Sequence, residues 1–380
     1  MKVAILRQQV TGFGGAETTL THLTRGLVAA GHEVTVYGTS RGDEARTALG
    51  PGCSYVKVPV WGGKAGRLLS YALNTRRLLL QASPQLVFSL ERTLRQNVHR
   101  AGDGCHREWL ARRTPFLSPG ARAAQALRPF HRAMLYLEAR LFADPLLQRV
   151  IANSRQVRDE IIRHYRVAPE RLTVIYNGLD RDRFRPLEEP AAASLRRRLE
   201  GPPAGGIILF VGSGFQRKGL TYLIQAFGSL NHQKAVLWVV GKGSAAPYLK
   251  LAHRLGCAAR VRFWGPQSDV APFYQAAQVL ALPTLYDPCS NVVLEALACG
   301  TPVITTAANG AAEFLRPGVN GEILPRADDK AALTQALADY LARGRDGEVR
   351  RAALEAVAQL GWEATVAQTL AVLEEVGSSF

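Results

Sequence analysis

Several features that mark common protein classes are missing from this 380-residue sequence. No apolar run approaches the roughly 18 residues that a membrane-spanning helix needs, and the apolar part of the N-terminus is too short for a signal peptide. We therefore expect a cytoplasmic protein. The five cysteines are scattered and show neither a Cys-x-x-Cys pair nor a zinc-like spacing with histidine. We expect free thiols, packed mostly as small apolar residues, although Cys289 lies in a loop where it could touch a ligand.

Acidic residues are scarce in the first half of the chain. Residues 1–200 carry 32 Lys and Arg against 17 Asp and Glu, whereas the remainder carries 15 against 14, so the first half holds nearly all of the net charge of +16. Such a surface attracts phosphate-bearing partners, either nucleic acid or an anionic membrane. A solvated arginine-rich surface without a partner is the alternative.

The block of residues 64–140 concentrates this charge, with 14 Lys and Arg and only four carboxylates. Aromatic residues lie between the cations: Trp109, Phe116, Phe130 and Tyr136. This mixture suits a membrane interface, and it would also suit single-stranded nucleic acid. Because recognised nucleic-acid motifs are absent, we expect an anionic membrane surface as the partner, with peripheral attachment, and no nucleic acid.

Short apolar runs alternate with helical patterns in both halves of the chain. Runs at residues 2–6, 33–37, 56–60 and 86–89 belong to the first half, and the alternation restarts at residues 207–211. Strands alternating with helices predict parallel sheets covered on both faces, and the length exceeds what one core normally supports. The predicted fold class is α/β, with two doubly wound Rossmann-like domains facing across a cleft.

The predicted domain boundary lies in residues 186–203, because their prolines and glycines are typical of an interdomain segment. The N-terminal domain then comprises residues 1–186 and the C-terminal domain residues 187–361. The last helix, at residues 362–376, is amphipathic and long enough to cross back, so residues 362–380 are assigned to the N-terminal domain.

Two carboxylates mark the segment of residues 286–304. Asp287 lies in a loop that follows an apolar strand, and Glu295 lies two turns into the next helix. Ligands of open α/β sheets sit beyond the carboxyl ends of the strands, where the amides of a helix start also point. The two acids can therefore touch opposite ends of one polar ligand.

A second loop, residues 212–219, follows the strand at 207–211 and precedes a helix. It carries Gly212, Arg217 and Lys218. Arginine can grip phosphate oxygens bidentately and lysine adds a point charge, so this loop suits a diphosphate. The spacing does not match a Walker A loop, and an exposed Arg-Lys pair without function is the alternative.

Two further turns carry weaker signals. Gly14 and Gly15 lie in a glycine-rich turn after the first strand, where amides could approach an anion, but a simple tight turn explains them equally well. Asp103 is an isolated acid in a glycine-flanked turn with basic surroundings. It would face cations, unless it only bonds its own backbone, as turn aspartates often do.

Taken together, several segments resemble a retaining glycosyltransferase of family 4, which has the GT-B fold. The resemblance spans nearly the whole chain, and the turn at residues 100–106 with the loop at 212–219 resembles more narrowly the lipopolysaccharide core glucosyltransferase I group, which transfers glucose to inner-core heptose. The segments that carry the broader resemblance are residues 14–17, 177–180, 217–219, 261–265 and the stretch from Asp287 to Val303.

The resemblance implies a role for each candidate residue. Arg217 and Lys218 would stabilise the leaving diphosphate of a sugar nucleotide, Glu295 would hold the ribose hydroxyls, and Asp287 the hydroxyls of the donor sugar. Asp103 would lie on the acceptor side, and the family's usual glutamate is replaced by the shorter Asp287. The remaining donor-binding candidates are the backbones of Gly14, Gly15, Gly212, Asn291, Val292 and Val293.

The implied reaction moves a hexose, glucose from UDP-glucose, to a lipopolysaccharide core or another lipid-linked glycan. It would take place at the inner membrane, with the cytoplasmic protein attached peripherally. The family needs no metal, and no cofactor is expected beyond the sugar nucleotide as co-substrate. Retention without an enzymic nucleophile fits a front-face reaction. Two alternatives remain, a nucleotide-sugar 2-epimerase of the same fold and a basic, non-enzymatic nucleic-acid-binding protein.

Overall fold

The computed structural model describes residues 1–10, 15–202, 205–343 and 345–378. The chain divides into two compact units, Met1–Gly178 with Gly361–Phe380, and Leu179–Leu360. The boundary therefore lies eight residues before the predicted one at 186. Leu179 and Phe184 explain the difference, because both are buried in the core of the second unit.

The first unit contains a sheet of seven parallel strands in the order β3-β2-β1-β4-β5-β6-β7. Most of its strands are short apolar runs with buried residues, as expected for a sheet covered on both faces. The strands are β1 (Lys2–Leu6), β2 (Glu33–Gly38), β3 (Cys53–Lys57), β4 (Leu86–Ser89), β5 (Val98–Ala101), β6 (Arg149–Ala152) and β7 (Leu172–Val174). The helices are α1 (Gly15–Ala29), α2 (Gly42–Leu49), α3 (Lys64–Ala82), α4 (His106–Arg113), α5 (Pro119–Leu127), α6 (Pro129–Phe142) and α7 (Arg155–Tyr165).

The second unit contains a sheet of six parallel strands in the order β10-β9-β8-β11-β12-β13. The strands are β8 (Ile207–Val211), β9 (Val236–Val240), β10 (Val261–Gly265), β11 (Val279–Leu282), β12 (Val303–Thr306) and β13 (Gly321–Leu324). The helices are α8 (Glu189–Arg198), α9 (Leu220–Gly228), α10 (Ala246–Arg254), α11 (Ala271–Ala276), α12 (Asn291–Ala298), α13 (Lys330–Arg343) and α14 (Gly347–Ala356).

The last helix, α15 (Trp362–Gly377), packs on the first unit, as the sequence predicted. Its residues Val372, Leu373 and Val376 belong to the same buried cluster as Val3 and Ile5 of β1. The C-terminal segment thus returns to the first unit, and α15 completes the hydrophobic core of that unit.

Each sheet has one point at which the strand order reverses. This switch point lies between β1 and β4 in the first unit and between β8 and β11 in the second. Doubly wound sheets bind ligands beyond the carboxyl ends of the strands at this position. Among the described residues, none of the helices combines the length and apolar character needed to cross a bilayer.

Candidate functional site

The loops that follow β8 and β11 meet at the switch point of the second sheet. The carbonyl oxygen of Arg217 accepts hydrogen bonds from the amide of Leu285, at 2.8 Å, and from the hydroxyl of Thr284, at 3.1 Å. These bonds bring the loop with the two cations against the loop with Asp287. Two segments that lie about seventy positions apart in sequence thereby form one site.

Lys218, Arg217 and Asp287 form an ion cluster at this meeting point. The Nζ of Lys218 lies 3.2 Å from Oδ2 of Asp287, and Nη1 of Arg217 lies 3.3 Å from the same oxygen. The side chains of Lys218 and Asp287 are only 9% and 10% exposed, whereas that of Arg217 is 36% exposed. Burial alone would raise the pKa of Asp287, but the charges of Lys218 and Arg217 lower it below its ordinary value. Asp287 is therefore a carboxylate held between two cations.

The backbone around Asp287 is fixed by the segment that follows β12. The amide of Asp287 donates to the carbonyl of Ala308, and the amide of Gly310 donates to the carbonyl of Asp287, both at 2.9 Å. The side-chain oxygen of Asn309 accepts from the amides of Ser290 and Ala311. Asn309 and Ser290 were not among the predicted residues. An Asn-Gly pair three residues after the end of a buried strand is the signal that could have found Asn309.

Helix α12 starts at the same place and carries the second acid. Nζ of Lys218 donates to the Ser290 hydroxyl at 3.5 Å, just before the first-turn residues Asn291, Val292 and Val293. In Glu295, Oε2 accepts a hydrogen bond of 2.7 Å from the hydroxyl of Tyr274 in α11. Sequence reasoning missed Tyr274, because only the packing of α11 against α12 brings the two together.

The pKa of Glu295 is shifted in the opposite direction from that of Asp287. Burial raises the pKa of the Glu295 carboxyl, and the hydrogen bond from Tyr274 and the charges of Arg183 and Lys218 offset this only in part. The Lys218 charge thus acts on both acids, which places Glu295 in the electrostatic range of the same cluster.

Gly212 makes room for Lys218. Its φ of +144° is one that residues with a side chain rarely adopt, and a Cβ atom there would lie 2.5 Å from Cδ of Lys218. The backbone at this position therefore packs directly against the aliphatic part of the lysine. The backbone conformation therefore favours glycine, and any larger residue would also displace the end of the Lys218 side chain.

The remaining candidates lie in the first unit. Gly14 falls outside the described residues, and Gly15 is the first residue of α1. Asp103 is exposed in the turn between β5 and α4. It follows β5, the neighbour of β4 in the sheet. Burial raises the pKa of Glu91, which follows β4, the charge of Arg7 lowers it, and the charge of Asp103 raises it. Glu91 itself pairs with Arg7, which follows β1, at 3.2 Å.

Within the ranges that the structure describes, no group of three His, Cys, Asp or Glu residues is arranged to hold a metal ion. The expectation that the reaction needs no metal stays a prediction. The predicted roles of the donor-site and acceptor-site residues likewise stay predictions, although the structure brings Arg217, Lys218 and Asp287 into direct contact.

Two family models match the chain, one on each side of residue 200. Residues 13–183 match "Glycosyltransferase Family 4" and residues 205–343 match "Glycosyl transferases group 1". The D-inositol 3-phosphate glycosyltransferase 2 of Catenulispora acidiphila is 35% identical over 237 residues, which cover 58% of this chain and 54% of that protein. The chain spans about half the length of the first curated relatives that it matches.

Longer matches come from two further proteins. The lipopolysaccharide glucosyltransferase WaaG of Escherichia coli K12 is 26% identical over 89% of this chain and 88% of its own, and a crystal structure of WaaG matches with a TM-score of 0.83 and 22% identity over 98% and 99% of the two chains. Anabaena Alr3699/HepE, crystallised with UDP-glucose, matches with a TM-score of 0.72 and 19% identity over 99% and 100%. The chain is therefore built of a glycosyltransferase family 4 domain, at residues 13–183, and a glycosyl transferases group 1 domain, at residues 205–343, and it has the GT-B fold.

Proposed function

We propose that the protein transfers glucose from UDP-glucose, with retention, to a lipopolysaccharide core or another lipid-linked glycan. The observation that carries this proposal is the contact of Lys218 and Arg217 with Asp287 at the switch point of the second sheet. The choice of glucose, UDP and a lipopolysaccharide acceptor is supported by the name of the E. coli relative and by the UDP-glucose bound to the Anabaena protein.

Lys218 and Arg217 supply positive charge where the leaving diphosphate would develop negative charge. Fixed cations in a partly buried site stabilise such charge more strongly than they would in water. About a third of the Arg217 side chain is exposed, so it can reach a ligand. Lys218 is buried and bonds Asp287 and Ser290. We assign the diphosphate to this end of the site.

The two acids would bind the two ends of the donor. Asp287 is ionised and can only accept hydrogen bonds, which suits the hydroxyl groups of the sugar. Glu295 has one oxygen bonded to Tyr274, and among the described residues its other oxygen has no partner and can accept from the ribose hydroxyls. Amides of the α12 start, at Asn291 to Val293, would face the sugar or the phosphate.

The proposed reaction uses the leaving group as its own base. The bond between the anomeric carbon and the phosphate oxygen breaks, the acceptor hydroxyl oxygen bonds to the same carbon from the same face, and the hydroxyl proton moves to the phosphate oxygen. No enzymic nucleophile, metal ion or cofactor takes part in this scheme. The protein positions the reactants and stabilises the diphosphate.

The acceptor side and the membrane contact are assigned to the first unit. Asp103 would bind the acceptor. Helices α3 and α6 pack on each other through Leu68, Ala72, Ala133 and Leu137 and leave other apolar and basic side chains exposed. With two exposed neighbours, Trp61 just before α3 and Leu127 at the end of α5, we name this set the α3–α6 surface. Its members on the two helices are Leu73, Arg76, Arg77 and Leu80 of α3 and Arg132, Tyr136 and Arg140 of α6. Rings and cations of this kind suit peripheral attachment to an anionic membrane.

A donor screen followed by product analysis tests the proposal. Calorimetry with UDP-, GDP- and ADP-sugars should give binding of UDP-glucose, and incubation with extracted lipopolysaccharide cores should add one hexose to their mass. Lys218→Ala and Glu295→Ala should abolish transfer, whereas Lys250→Ala on the exposed face of α10 should not. Near-normal transfer by both site variants would remove the assignment.

The same experiment separates the alternatives. A nucleotide-sugar 2-epimerase would consume the donor without acceptor and return an isomeric sugar nucleotide. A nucleic-acid-binding protein would bind DNA or RNA in a salt-sensitive manner and would bind no sugar nucleotide.

A further inference from the structure

The turn that carries Asp103 is held by buried side chains from two other parts of the first unit. Nη2 of Arg92, which follows β4, donates to the carbonyl of Gly104 at 2.5 Å. Nδ2 of Asn153, which follows β6, donates to the carbonyl of Gly102 at 2.9 Å. The backbone on each side of Asp103 is therefore bonded to a neighbouring strand end.

Glu138 of α6 connects Arg92 to the start of α4. Its Oε1 accepts from Nε of Arg92 at 2.9 Å and from the amide of His106 at 2.8 Å. Its Oε2 accepts from the amide of Arg107 at 3.1 Å and from the hydroxyl of Tyr165. A carboxylate at the start of a helix binds the amides that have no partner within the helix, so Glu138 fixes the position at which the Asp103 turn ends.

The charges of this pair are buried. Glu138 is fully buried and Arg92 is 8% exposed. Burial alone would raise the pKa of Glu138, but Arg92, Tyr165 and the amide of His106 lower it, so the carboxylate form is kept. A buried ion pair contributes little net stability compared with an apolar pair of the same size. Stability alone is therefore a weak reason for this pair, and a positioning role is the stronger one.

Asp103 is solvent-exposed, unlike the buried Arg92 and Glu138 that hold its turn. Its side chain is exposed, and among the described residues it makes no hydrogen bond or ion pair. The Arg92 guanidinium bonds the carbonyl of Gly104, the residue next to Asp103, and the charges of Glu138 and Asp103 both raise the pKa of Arg92. A solvated carboxylate on a fixed backbone loses little freedom when it binds hydroxyl groups.

We propose that Arg92 and Glu138 are positioning residues that hold Asp103 for binding of the hydroxyl groups of a sugar acceptor. This inference rests on the proposed glycosyl transfer and adds the residues that fix the acceptor end. Arg92 bridges two partners through different nitrogens, Nε to Glu138 and Nη2 to Gly104, so a lysine cannot replace it.

The test compares Arg92→Lys and Glu138→Gln with Asp103→Asn and with a control, Asp159→Asn. The control makes the same change as Asp103→Asn at another exposed acid of the first unit, which lies on α7 and pairs with Arg158. Extracted lipopolysaccharide truncated at its inner core serves as the acceptor probe. We expect the first three variants to raise the acceptor KM by about tenfold to a hundredfold, with the donor KM unchanged, and Asp159→Asn to change neither.

A double-mutant cycle tests whether Arg92 acts through Asp103. If it does, Arg92→Lys combined with Asp103→Asn raises the acceptor KM no further than Asp103→Asn alone. Additive effects on the acceptor KM would show that Arg92 acts independently of Asp103. A lower kcat in proportion to the folded fraction, with the acceptor KM unchanged, would show a role in stability only. Either result would overturn the proposal.

Amide hydrogen exchange gives a readout that needs no activity. Arg92→Lys and Glu138→Gln should speed exchange at residues 102–107 and leave the second unit unchanged. Unchanged exchange in the turn would overturn the positioning role even in an active enzyme. If the unaltered protein transfers no sugar, the proposed function fails and the acceptor assignment fails with it, while exchange at the turn still decides whether the network holds it.

Discussion

Several contacts of the proposed donor site converge on Asp287. Its carboxylate touches two cations, and its backbone is paired with the segment after β12 at both its amide and its carbonyl. The side chain therefore contributes to folding of the second unit as well as to the proposed chemistry. These two contributions can be separated by changing its charge and its length one at a time.

Removing the charge with Asp287→Asn should destabilise the second unit, because Lys218 stays buried without its partner. Breaking a buried pair costs about 3–5 kcal/mol, and the residual hydrogen bond of the asparagine places this variant at the lower end. Urea unfolding at neutral pH measures the loss. Glu322→Gln, a half-buried acid of β13 outside the cluster, serves as the control.

The difference between the unaltered protein and Asp287→Asn should depend on pH with a defined sign. The folded-state pKa of Asp287 is lowered, so its stabilisation is complete above the unfolded pKa of about 3.9 and is lost as the pH falls through the folded value. Between about pH 5 and pH 8, which lies above that unfolded pKa, the two unfolding free energies should differ by a constant amount. In stronger acid they should converge. A difference that grows on acidification would contradict the assigned charge state.

Lengthening the side chain with Asp287→Glu should change sugar selectivity. The extra methylene moves the carboxylate toward the donor sugar, while the diphosphate contacts of Arg217 and Lys218 are kept. We expect the ratio of kcat/KM for UDP-glucose and UDP-galactose to shift by about tenfold, with the Kd of UDP unchanged by calorimetry. An unchanged ratio would show that Asp287 does not touch the hydroxyl that distinguishes these sugars.

At the scale of elements, α15 joins the end of the chain to the core of the first unit. Leu373 is fully buried, with β1 and α1 residues in the same cluster. Leu373→Ala should lower the free energy of unfolding by about 2–5 kcal/mol, which thermal denaturation will show. Leu370→Ala, at a partly buried position on the same helix, should cost less; an equal loss would mean that α15 packs differently.

Most elements of the second unit could be predicted, because its strands are uninterrupted apolar runs such as Ile207–Val211. The predicted strand at residues 56–60 was misplaced, since β3 is Cys53–Lys57 and Pro59 has no amide to donate. The predicted interdomain segment contains α8, because Pro190 lies in the first turn of that helix, where proline is tolerated.

The helices α4 to α6 were not predicted individually. In α6 the apolar positions Ala133, Leu137 and Leu141 are spaced by four. Arginines beside them weaken the apolar periodicity of the sequence, so this spacing is recognised only once the helix is known. In the site, both acids and both cations were predicted from strand ends. Tyr274 and Ser290 were not, because their contacts depend on how α11 and α12 pack.

At the scale of the whole molecule, each unit places its polar residues at the switch point of its own sheet. In the second unit these are the cations and acids of the proposed donor site, and in the first they are Arg7 and Glu91, with Asp103 after the neighbouring strand β5. The surplus of positive charge belongs to the first half of the chain, whereas the second half is nearly balanced. Donor binding should therefore depend on local contacts, and membrane binding on the field of the first unit.

The α3–α6 surface should bind anionic vesicles in a salt-dependent manner. Each cation near such a surface contributes about 1 kcal/mol, so Arg76→Glu with Arg77→Glu should weaken partition into mixed phosphatidylglycerol and phosphatidylcholine vesicles by about 2 kcal/mol or more, which is more than about tenfold. Binding should fall as the Debye length shrinks from about 10 Å at 0.1 M salt to about 3 Å at 1 M.

A control pair on the second unit, Lys250→Glu with Arg254→Glu, makes the same charge change. Both residues are exposed on α10, and their replacement should leave partition nearly unaltered. Leu73→Ser with Leu80→Ser removes apolar area from α3 and should weaken binding even at high salt, because apolar burial is not screened. Equal binding to phosphatidylcholine alone, or equal losses in both charge variants, would show that membrane attachment does not use this surface.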